Sequence, residues 1–230
     1  MKRVPFKSPL TPLYPKDVLT AYSELGIEDS FLYPEEEACI AKAAPKRRRE
    51  FATGRFLARA ALAEAGIAPA PLVPGPDRAP IWPTGIVGSI SHTDDCCGAA
   101  VAARGKIMGI GLDIESAEPL DERLWCLLIT DPERSWLQKR NPTERSHLAK
   151  LIFSAKECLF KCQFPIVRRW LEFTDVAINL HLESGVFTVN IHPSVERVEP
   201  DCEGLTGRFL FADSKIFTGM VWPAEDADGA

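Results

Sequence analysis

The sequence predicts an α+β fold, in which helices and antiparallel strands occupy separate stretches of the chain. Helical periodicity dominates the first third after a proline-rich arm, and it returns between about residues 120 and 162. Short segments typical of strands follow each helical stretch, within 88–115 and 176–221. This order of helices and then strands, found twice, predicts two α+β units, although no sequence repeat demonstrates a duplication.

Two helices are predicted in the first third from their end signals. A first helix begins at Pro34, where a proline and three glutamates occupy positions favoured in a first turn. A second, alanine-rich helix is predicted from 45 to 65 and stops at Gly66. Residues 69–83 are rich in proline and glycine, which predicts an irregular segment leading into a sheet.

Three strands are predicted next. Small residues at 88–92 and 98–102 indicate two strands joined by a turn at 93–95. The third strand, at 106–115, alternates, so that its isoleucines and leucine share one face. The opposite face carries two glycines followed by two acids: Gly109, Gly111, Asp113 and Glu115. Both carboxylates therefore lie on a face whose earlier positions have no side chain.

The last part of the chain is predicted to be helical and then β-structured. One helix start is placed at 131–133, with Asp131 as its cap and Pro132 in its first turn. Hairpins are predicted from two pairs of segments, 176–182 with 186–191 and 207–212 with 215–221.

The segment from Phe153 to Lys161 is the most informative about function, because it combines acidic and basic side chains. At about 100° per residue, four small or apolar side chains fall on one arc of a helix: Ile152, Ala155, Leu159 and Cys162. Four polar side chains gather on the opposite arc: Lys150, Ser154, Glu157 and Lys161. Lys156 lies off the centre of this polar stripe and would reach a shared ligand only through its long stem. An ordinary surface helix with a weak Glu157–Lys161 pair is the simpler alternative.

Composition limits the possible functions. The 230 residues are 46% hydrophobic, enough for one large domain or two small ones, and the net charge of -5 argues against general nucleic-acid binding. An anionic ligand would have to meet clustered cations, and the chain has two clusters, 46–49 and 168–169. Both could equally be solvated surface runs, and the second could also contact an acidic partner.

Seven cysteines without a C-x-x-C spacing argue against a zinc site. The first fifteen residues begin with basic side chains but contain several prolines and no continuous apolar region, so no secretory signal is predicted. No stretch approaches the length of a membrane span. A reducing cytoplasm is therefore the expected location.

Five segments in a fixed order resemble the 4'-phosphopantetheinyl transferases of the surfactin and enterobactin type, and residues 164–173 are most similar to enterobactin-related and actinobacterial members. The segments are Gly54-Arg55-x-x-x-Arg59, Trp82-Pro83-x-Gly85, Gly88-Ser89-Ile90-Ser91-His92, Gly109-Ile110-Gly111-Leu112-Asp113-Ile114-Glu115 and Phe153-Ser154-Ala155-Lys156-Glu157-x-x-x-Lys161. The resemblance covers roughly residues 45–175. It implies two similar α+β halves in a pseudo-twofold arrangement, with 1–105 binding coenzyme A phosphates and 106–230 forming the metal-binding and catalytic half.

The resemblance also implies a reaction and its participants. Such enzymes move the 4'-phosphopantetheine arm of coenzyme A to a serine of an apo acyl or peptidyl carrier protein, with Mg²⁺ (or Mn²⁺), and release adenosine 3',5'-bisphosphate. A cytoplasmic monomer that binds neither nucleic acid nor membrane is expected. The carrier could belong to fatty-acid, polyketide, siderophore or other nonribosomal peptide biosynthesis.

Roles for individual residues follow from the same resemblance. Three carboxylates would hold the metal ion: Asp113, Glu115 and Glu157. Glu157, or a water that it orients, would take the serine proton, Lys161 would stabilise charge on the departing bisphosphate, and Lys156 would hold the diphosphate. The remaining coenzyme A contacts would come from basic and polar residues of the first half: Arg47 or Arg48, Arg55, Arg78, Ser91 and His92.

Several alternatives stay open from the residues alone. Four consecutive basic residues leave undetermined whether Arg47 or Arg48 contacts a phosphate. His92 also fits a buried histidine at a strand end. A metal-dependent phosphohydrolase acting on coenzyme A or a nucleotide diphosphate could use the same acids and lysines, and an inactive coenzyme A binding module could retain them without turnover.

Overall fold

A computed structural model describes residues 8–24, 31–196 and 200–224, and it confirms the α+β class. The helices are α1 (Pro34–Cys39), α2 (Pro45–Glu64), α3 (Trp125–Leu128), α4 (Asp131–Leu137) and α5 (Pro142–Val167). The strands are β1 (Leu19–Glu24), β2 (Ile86–His92), β3 (Cys96–Ala103), β4 (Ile107–Ser116), β5 (Val176–His181), β6 (Val186–Ile191), β7 (Thr206–Ala212) and β8 (Lys215–Pro223). Single 3₁₀ turns lie at Thr11–Leu13, Glu122–Leu124 and Phe173–Asp175.

The strands form two antiparallel sheets. The first has three strands in the order β1-β3-β2, and the second has five in the order β4-β8-β7-β6-β5. The predicted boundary at residue 105 lies in the turn between β3 and β4, so the two sheets divide between the expected halves. The similarity of these halves stays a prediction.

Each sheet is covered by one long helix. On the three-stranded sheet, α2 buries Leu57, Ala58 and Leu62 against β2 and β3. On the five-stranded sheet, α5 buries Leu151, Ile152 and other apolar residues against β5, β6 and β8. The apolar arc predicted for α5 is confirmed, because Ile152, Ala155, Leu159 and Cys162 are all buried.

Helix α5 packs closely on β4, and two glycines make this close approach possible. A Cβ atom added at Gly111 would overlap the Cys158 carbonyl group of α5, and one at Gly109 would lie 2.6 Å from the Cys162 carbonyl oxygen. Four helical residues rise about 6 Å and two strand residues about 6.6 Å, so the repeats of α5 and β4 match. The helix therefore follows the strand in the opposite direction, with Cys162 at Gly109 and Cys158 at Gly111.

The two sheets meet where β2 passes β4, and serine side chains make the connection. The backbone N–H of Leu112 donates to Ser89 Oγ, and that of Ile114 donates to Ser91 Oγ, each with a donor–acceptor distance of 3.1 Å. Tyr14, from the amino-terminal arm, closes the same junction by donating its hydroxyl to the Gly111 carbonyl at 2.6 Å. These contacts fix β2 relative to the acid-bearing strand.

Two secondary-structure predictions are wrong. Residues 19–24 form strand β1, although the first third was expected to be helical. The partner strand β3 lies far along the chain, so no local pattern indicated this strand. The cap of α4 is Thr130 rather than Asp131, since the Thr130 side chain accepts the Glu133 N–H and the Glu133 carboxylate accepts the Thr130 N–H.

Within the described residues, no helix combines the length and apolar character that crossing a membrane requires. The seven cysteines are free thiols, and five of them are buried. Residues 1–7, part of the segment expected to lack a secretory signal, lie outside the described residues.

We expect Gly111→Ala to destabilise the protein by about 3 kcal/mol, because the new methyl group would push α5 off β4 through a backbone contact. Denaturant unfolding would measure the loss. Ser116→Ala, at the exposed end of the same strand, is the control and should unfold like the wild type. Equal stability of the Gly111 and Ser116 variants would contradict the close packing of α5 on β4.

Candidate functional site

Asp113 lies at the centre of the site, on the glycine-bearing face of β4. It is only 3% exposed, and its carboxylate has three partners. Ser91 Oγ donates to Oδ1 at 3.1 Å, Ser154 Oγ donates to Oδ2 at 2.8 Å, and Lys161 Nζ lies 2.7 Å from Oδ1. Asp113 therefore joins β2, β4 and α5 at one point.

Glu115 occupies the next position on the same face of β4. Its Oε2 lies 2.5 Å from Lys150 Nζ, and both side chains are largely shielded from solvent. Lys150 also lies over the Phe153 ring, with its ammonium 5.2 Å from the ring centroid. Glu115 is thus paired with a lysine one helical turn before Ser154.

Glu157 projects from α5 into the same region. Burial raises the pKa of the Glu157 carboxyl group, Lys161 opposes that shift, and the negative charges of Asp113 and Glu115 raise the pKa further. Glu157 lines one cleft with Lys161, which pairs with Asp113, so the carboxyl group of Glu157 lies close enough to the acids of β4 to feel their charge.

The three acids do not form a ready ligand set. Among residues 8–24, 31–196 and 200–224, no group of three or more His, Cys, Asp or Glu side chains is arranged to hold a metal ion. The physical reason is that lysines neutralise two of the acids, Lys161 at Asp113 and Lys150 at Glu115. The donor chemistry nevertheless fits a hard cation, because all three groups offer carboxylate oxygens.

Lys161 connects the acids to β2. Its ammonium donates to Asp113 Oδ1 and to Ser91 Oγ, the latter at 3.0 Å. Burial opposes the charged form of Lys161, but the ion pair with Asp113 outweighs this penalty and raises its pKa. Lys161 is therefore a protonated cation beside the acids, as the sequence predicted.

The contacts of Lys156 do not support the prediction that it holds a diphosphate. Its ammonium donates to Glu133 Oε2 at 2.7 Å, to the Phe173 carbonyl at 2.8 Å and to the Leu128 carbonyl at 2.9 Å. The side chain is 3% exposed. Because an ammonium has three N–H groups, these three acceptors leave none for a phosphate.

Arg47 and His92 form a second polar cluster where α2 begins and β2 ends. Arg47 Nη1 lies 2.9 Å from His92 Nε2 and 3.3 Å from Glu50 Oε2. Burial lowers the pKa of His92, which favours the neutral ring. As predicted, β2 ends at His92. Ser91 contacts Asp113 and Lys161 while His92 contacts Arg47, and their shared grip on one phosphate stays a prediction.

Of the two alternative arginines, Arg48 points elsewhere. Its Nη1 donates to the Ile40 carbonyl at 3.1 Å, beyond the end of α1. Successive helical residues are about 100° apart, so only one of the two can face β2. The geometry therefore favours Arg47 over Arg48, and the phosphate contact itself stays a prediction.

Arg55 is buried, unlike an arginine that binds a phosphate at the protein surface. It is 6% exposed, donates from Nε to the Leu72 carbonyl and stacks its guanidinium over the Phe51 ring. Burial lowers its pKa to about 10. Its charge is thus held below the surface, and a nearby anion would stabilise it.

Arg78 lies at the rim of a cleft of about 270 Å³ beside the acids. Its backbone has a positive φ of 67°, within the loop that precedes β2. The cleft is lined by residues of both predicted halves, including Arg78, Trp82, Ser89, Glu157, Phe160 and Lys161. The structure therefore brings Arg78, Glu157 and Lys161 to one cavity.

The sequence prediction missed three residues that organise these clusters. Ser154 and Lys150 lay in the predicted polar stripe of α5. Their separation of four residues could have indicated that Lys150 meets Glu115 and Ser154 meets Asp113. The third residue is Glu50, and its only signal in the sequence is that it lies three residues after Arg47 on a predicted helix.

Comparison with known proteins identifies two matching families. The 4'-phosphopantetheinyl transferase N-terminal domain matches residues 35–102, and the 4'-phosphopantetheinyl transferase superfamily matches residues 109–207. The first match contains the Arg47 and His92 cluster, and the second contains the acids of β4 and α5.

Individual relatives agree with these matches. The chain is 36% identical to 4'-phosphopantetheinyl transferase Svp of Streptomyces mobaraensis, over 87% of this chain and 85% of the relative. It is 41% identical to 4'-phosphopantetheinyl transferase Npt of Nocardia iowensis, over 85% and 91%. Enterobactin synthase component D of Escherichia coli O157:H7 is 33% identical, over 71% and 80%.

Proposed function

Because the chain belongs to the 4'-phosphopantetheinyl transferase superfamily, we propose that it transfers the 4'-phosphopantetheine arm of coenzyme A to a serine of an acyl or peptidyl carrier protein. The serine oxygen would form a bond to the pantetheine-side phosphorus. The bond from that phosphorus to the bridging oxygen would break, and adenosine 3',5'-bisphosphate would leave with the electron pair.

The observation that best supports this reaction is the position of Glu157 and Lys161 at one cleft beside Asp113. A diphosphate in this cleft would meet a carboxylate and an ammonium within one helical turn. Positioning and electrostatic stabilisation supply most of the acceleration in phosphoryl transfer, so such a pair suits the reaction.

Glu157 is assigned as the base, directly or through a water. Burial and neighbouring acids raise its pKa, which makes it a better proton acceptor than an exposed carboxylate. Lys161, held protonated by Asp113, is placed to stabilise the negative charge that develops on the departing bisphosphate.

Magnesium fits the chemistry of the three acids, and we propose Asp113, Glu115 and Glu157 as its ligands. When bound, the ion would neutralise charge on the diphosphate oxygens. In the structure Lys150 and Lys161 neutralise Glu115 and Asp113, so each of these acids would exchange an ammonium contact for the ion.

The phosphates of coenzyme A are assigned to the cluster at the start of α2. Arg47 and His92 offer exposed or partly exposed nitrogens there, and Ser91 lies one residue earlier on β2. Arg55, buried behind this surface, adds long-range positive charge, and Arg78 adds charge at the rim of the cleft.

The partner is an apo carrier protein, and we expect the enzyme to act as a cytoplasmic monomer. The decisive test mixes the full chain with coenzyme A, magnesium chloride and a panel of apo carriers and weighs each carrier by mass spectrometry. We expect the mass of one phosphopantetheine to be added to at least one carrier. Hydrolysis of coenzyme A without a carrier, and no modified carrier, would contradict the proposal and favour a phosphohydrolase.

We expect Glu157→Gln to lower the transfer rate by about 100-fold or more, because the amide is neither a base nor a strong magnesium ligand. Coenzyme A binding, measured calorimetrically without magnesium, should be retained. Glu183→Gln, at an exposed turn between β5 and β6, is the control. Transfer at the wild-type rate by the Glu157 variant would remove the assigned role.

We expect Arg47→Ala to raise the Michaelis constant for coenzyme A roughly tenfold with little change in kcat, as the loss of one charge-assisted hydrogen bond predicts. Arg48→Ala is the matched control, since the neighbouring arginine donates to the Ile40 carbonyl. A larger effect at Arg48 than at Arg47 would reverse this assignment.

A further inference from the structure

Lys156 and Glu133 form the centre of a buried polar network outside the cleft. Their side chains are 3% and 2% exposed, and the ammonium lies 2.7 Å from the carboxylate. The carboxylate also accepts the Thr130 N–H and hydroxyl at Oε2 and the Ile178 N–H at Oε1. Each polar group of this pair is therefore satisfied by protein.

The network links α5 to four other segments. Lys156 donates to carbonyls at the end of α3 and in the Phe173–Asp175 turn, while Glu133 holds the start of α4 and the beginning of β5. A buried ion pair with additional hydrogen bonds specifies one geometry, because any other leaves a charge unsatisfied.

This network holds α5 on a side other than the one that packs on β4. The glycines of β4 meet the side of α5 formed by Cys158, Cys162 and Ile166. Lys156 contacts a different side of the helix, and the next residue is Glu157. A rotation of α5 that moved the Glu157 carboxylate away from Asp113 would also break the contacts of Lys156.

We propose that Lys156 is a positioning residue that, together with Glu133, fixes the orientation of Glu157 for phosphopantetheine transfer. This inference rests on the proposed function for its kinetic consequences. It assigns Lys156 no contact with coenzyme A, and it adds Glu133 to the residues on which turnover depends.

The test compares Lys156→Met with a double variant that carries Lys156→Met and Glu133→Gln, in which the amide oxygen can still accept an N–H group but no charge remains. The single variant leaves a buried carboxylate unpaired, so we expect kcat to fall about 100-fold, as a displacement of about 1 Å can cause, while the calorimetric Kd of coenzyme A stays within about twofold. The double variant leaves no buried charge unpaired. It should recover the melting temperature and bring kcat to within about tenfold of the wild type.

Lys139→Met, an exposed lysine beyond α4, is the matched control and should behave as the wild type. A contact between Lys156 and the diphosphate would give a different pattern, because changing Glu133 could not restore a lost ammonium. Weaker coenzyme A binding in both Lys156 variants, without recovery of kcat, would therefore overturn the proposal. So would a less stable Lys156→Met protein whose folded fraction turns over at the wild-type rate.

Hydrogen exchange of the α5 backbone amides tests the same network in a measurement that does not depend on enzymatic activity. We expect faster exchange around residues 153–160 in Lys156→Met and near wild-type exchange in the double variant. Wild-type protein that modifies no carrier would refute the proposed function, whereas unchanged exchange in Lys156→Met would refute the role of Lys156. If the single variant does not fold, kcat and exchange of the double variant decide between the two outcomes.

Discussion

The site depends on the contact between α5 and β4 that Gly109 and Gly111 permit. Without side chains there, the helix carbonyls reach the strand backbone, and the next two positions of that face carry Asp113 and Glu115. The rise of four helical residues is close to that of two strand residues, so Ser154 and Lys150 lie opposite these acids. The packing of α5 on β4 thus determines where the acids lie, because the glycines and the acids occupy alternate positions of the same strand.

Charge balance is the second constraint on this arrangement. Asp113 is almost fully buried, and a buried carboxylate requires hydrogen bonds or an opposite charge. Two serines and Lys161 satisfy it, while Lys150 satisfies Glu115. Glu157 receives no comparable pairing within the described residues, and its pKa rises through burial and the nearby acids. The unbalanced negative charge therefore falls on the residue beside the cleft, where a cation or a proton from a substrate would relieve it.

Much of the fold followed from local signals, and the failures have identifiable causes. Alternation between 106 and 115 correctly separated the isoleucine face of β4 from its glycine and acid face, and helical periodicity correctly gave the buried arc of α5. Strand β1 could not be recognised, because it is defined by a distant partner, β3. The choice between Arg47 and Arg48 also required three dimensions, since only the approach of β2 to α2 brings His92 to one of them.

Lys156 shows why a residue inside a strong sequence pattern can have a different role from its neighbour. Adjacent helical residues diverge by about 100°, so Glu157 can face the cleft only if Lys156 faces another side of α5. There it meets Glu133, whose own position follows from the capping interaction with Thr130 at the start of α4. A distant helix cap thus sets the partner of Lys156, and Lys156 sets the direction of Glu157. Under the proposed function, Lys156 is the anchor and Glu157 the reactive group of the pair, which would explain why both residues belong to the same short pattern although only the acid lies beside Asp113.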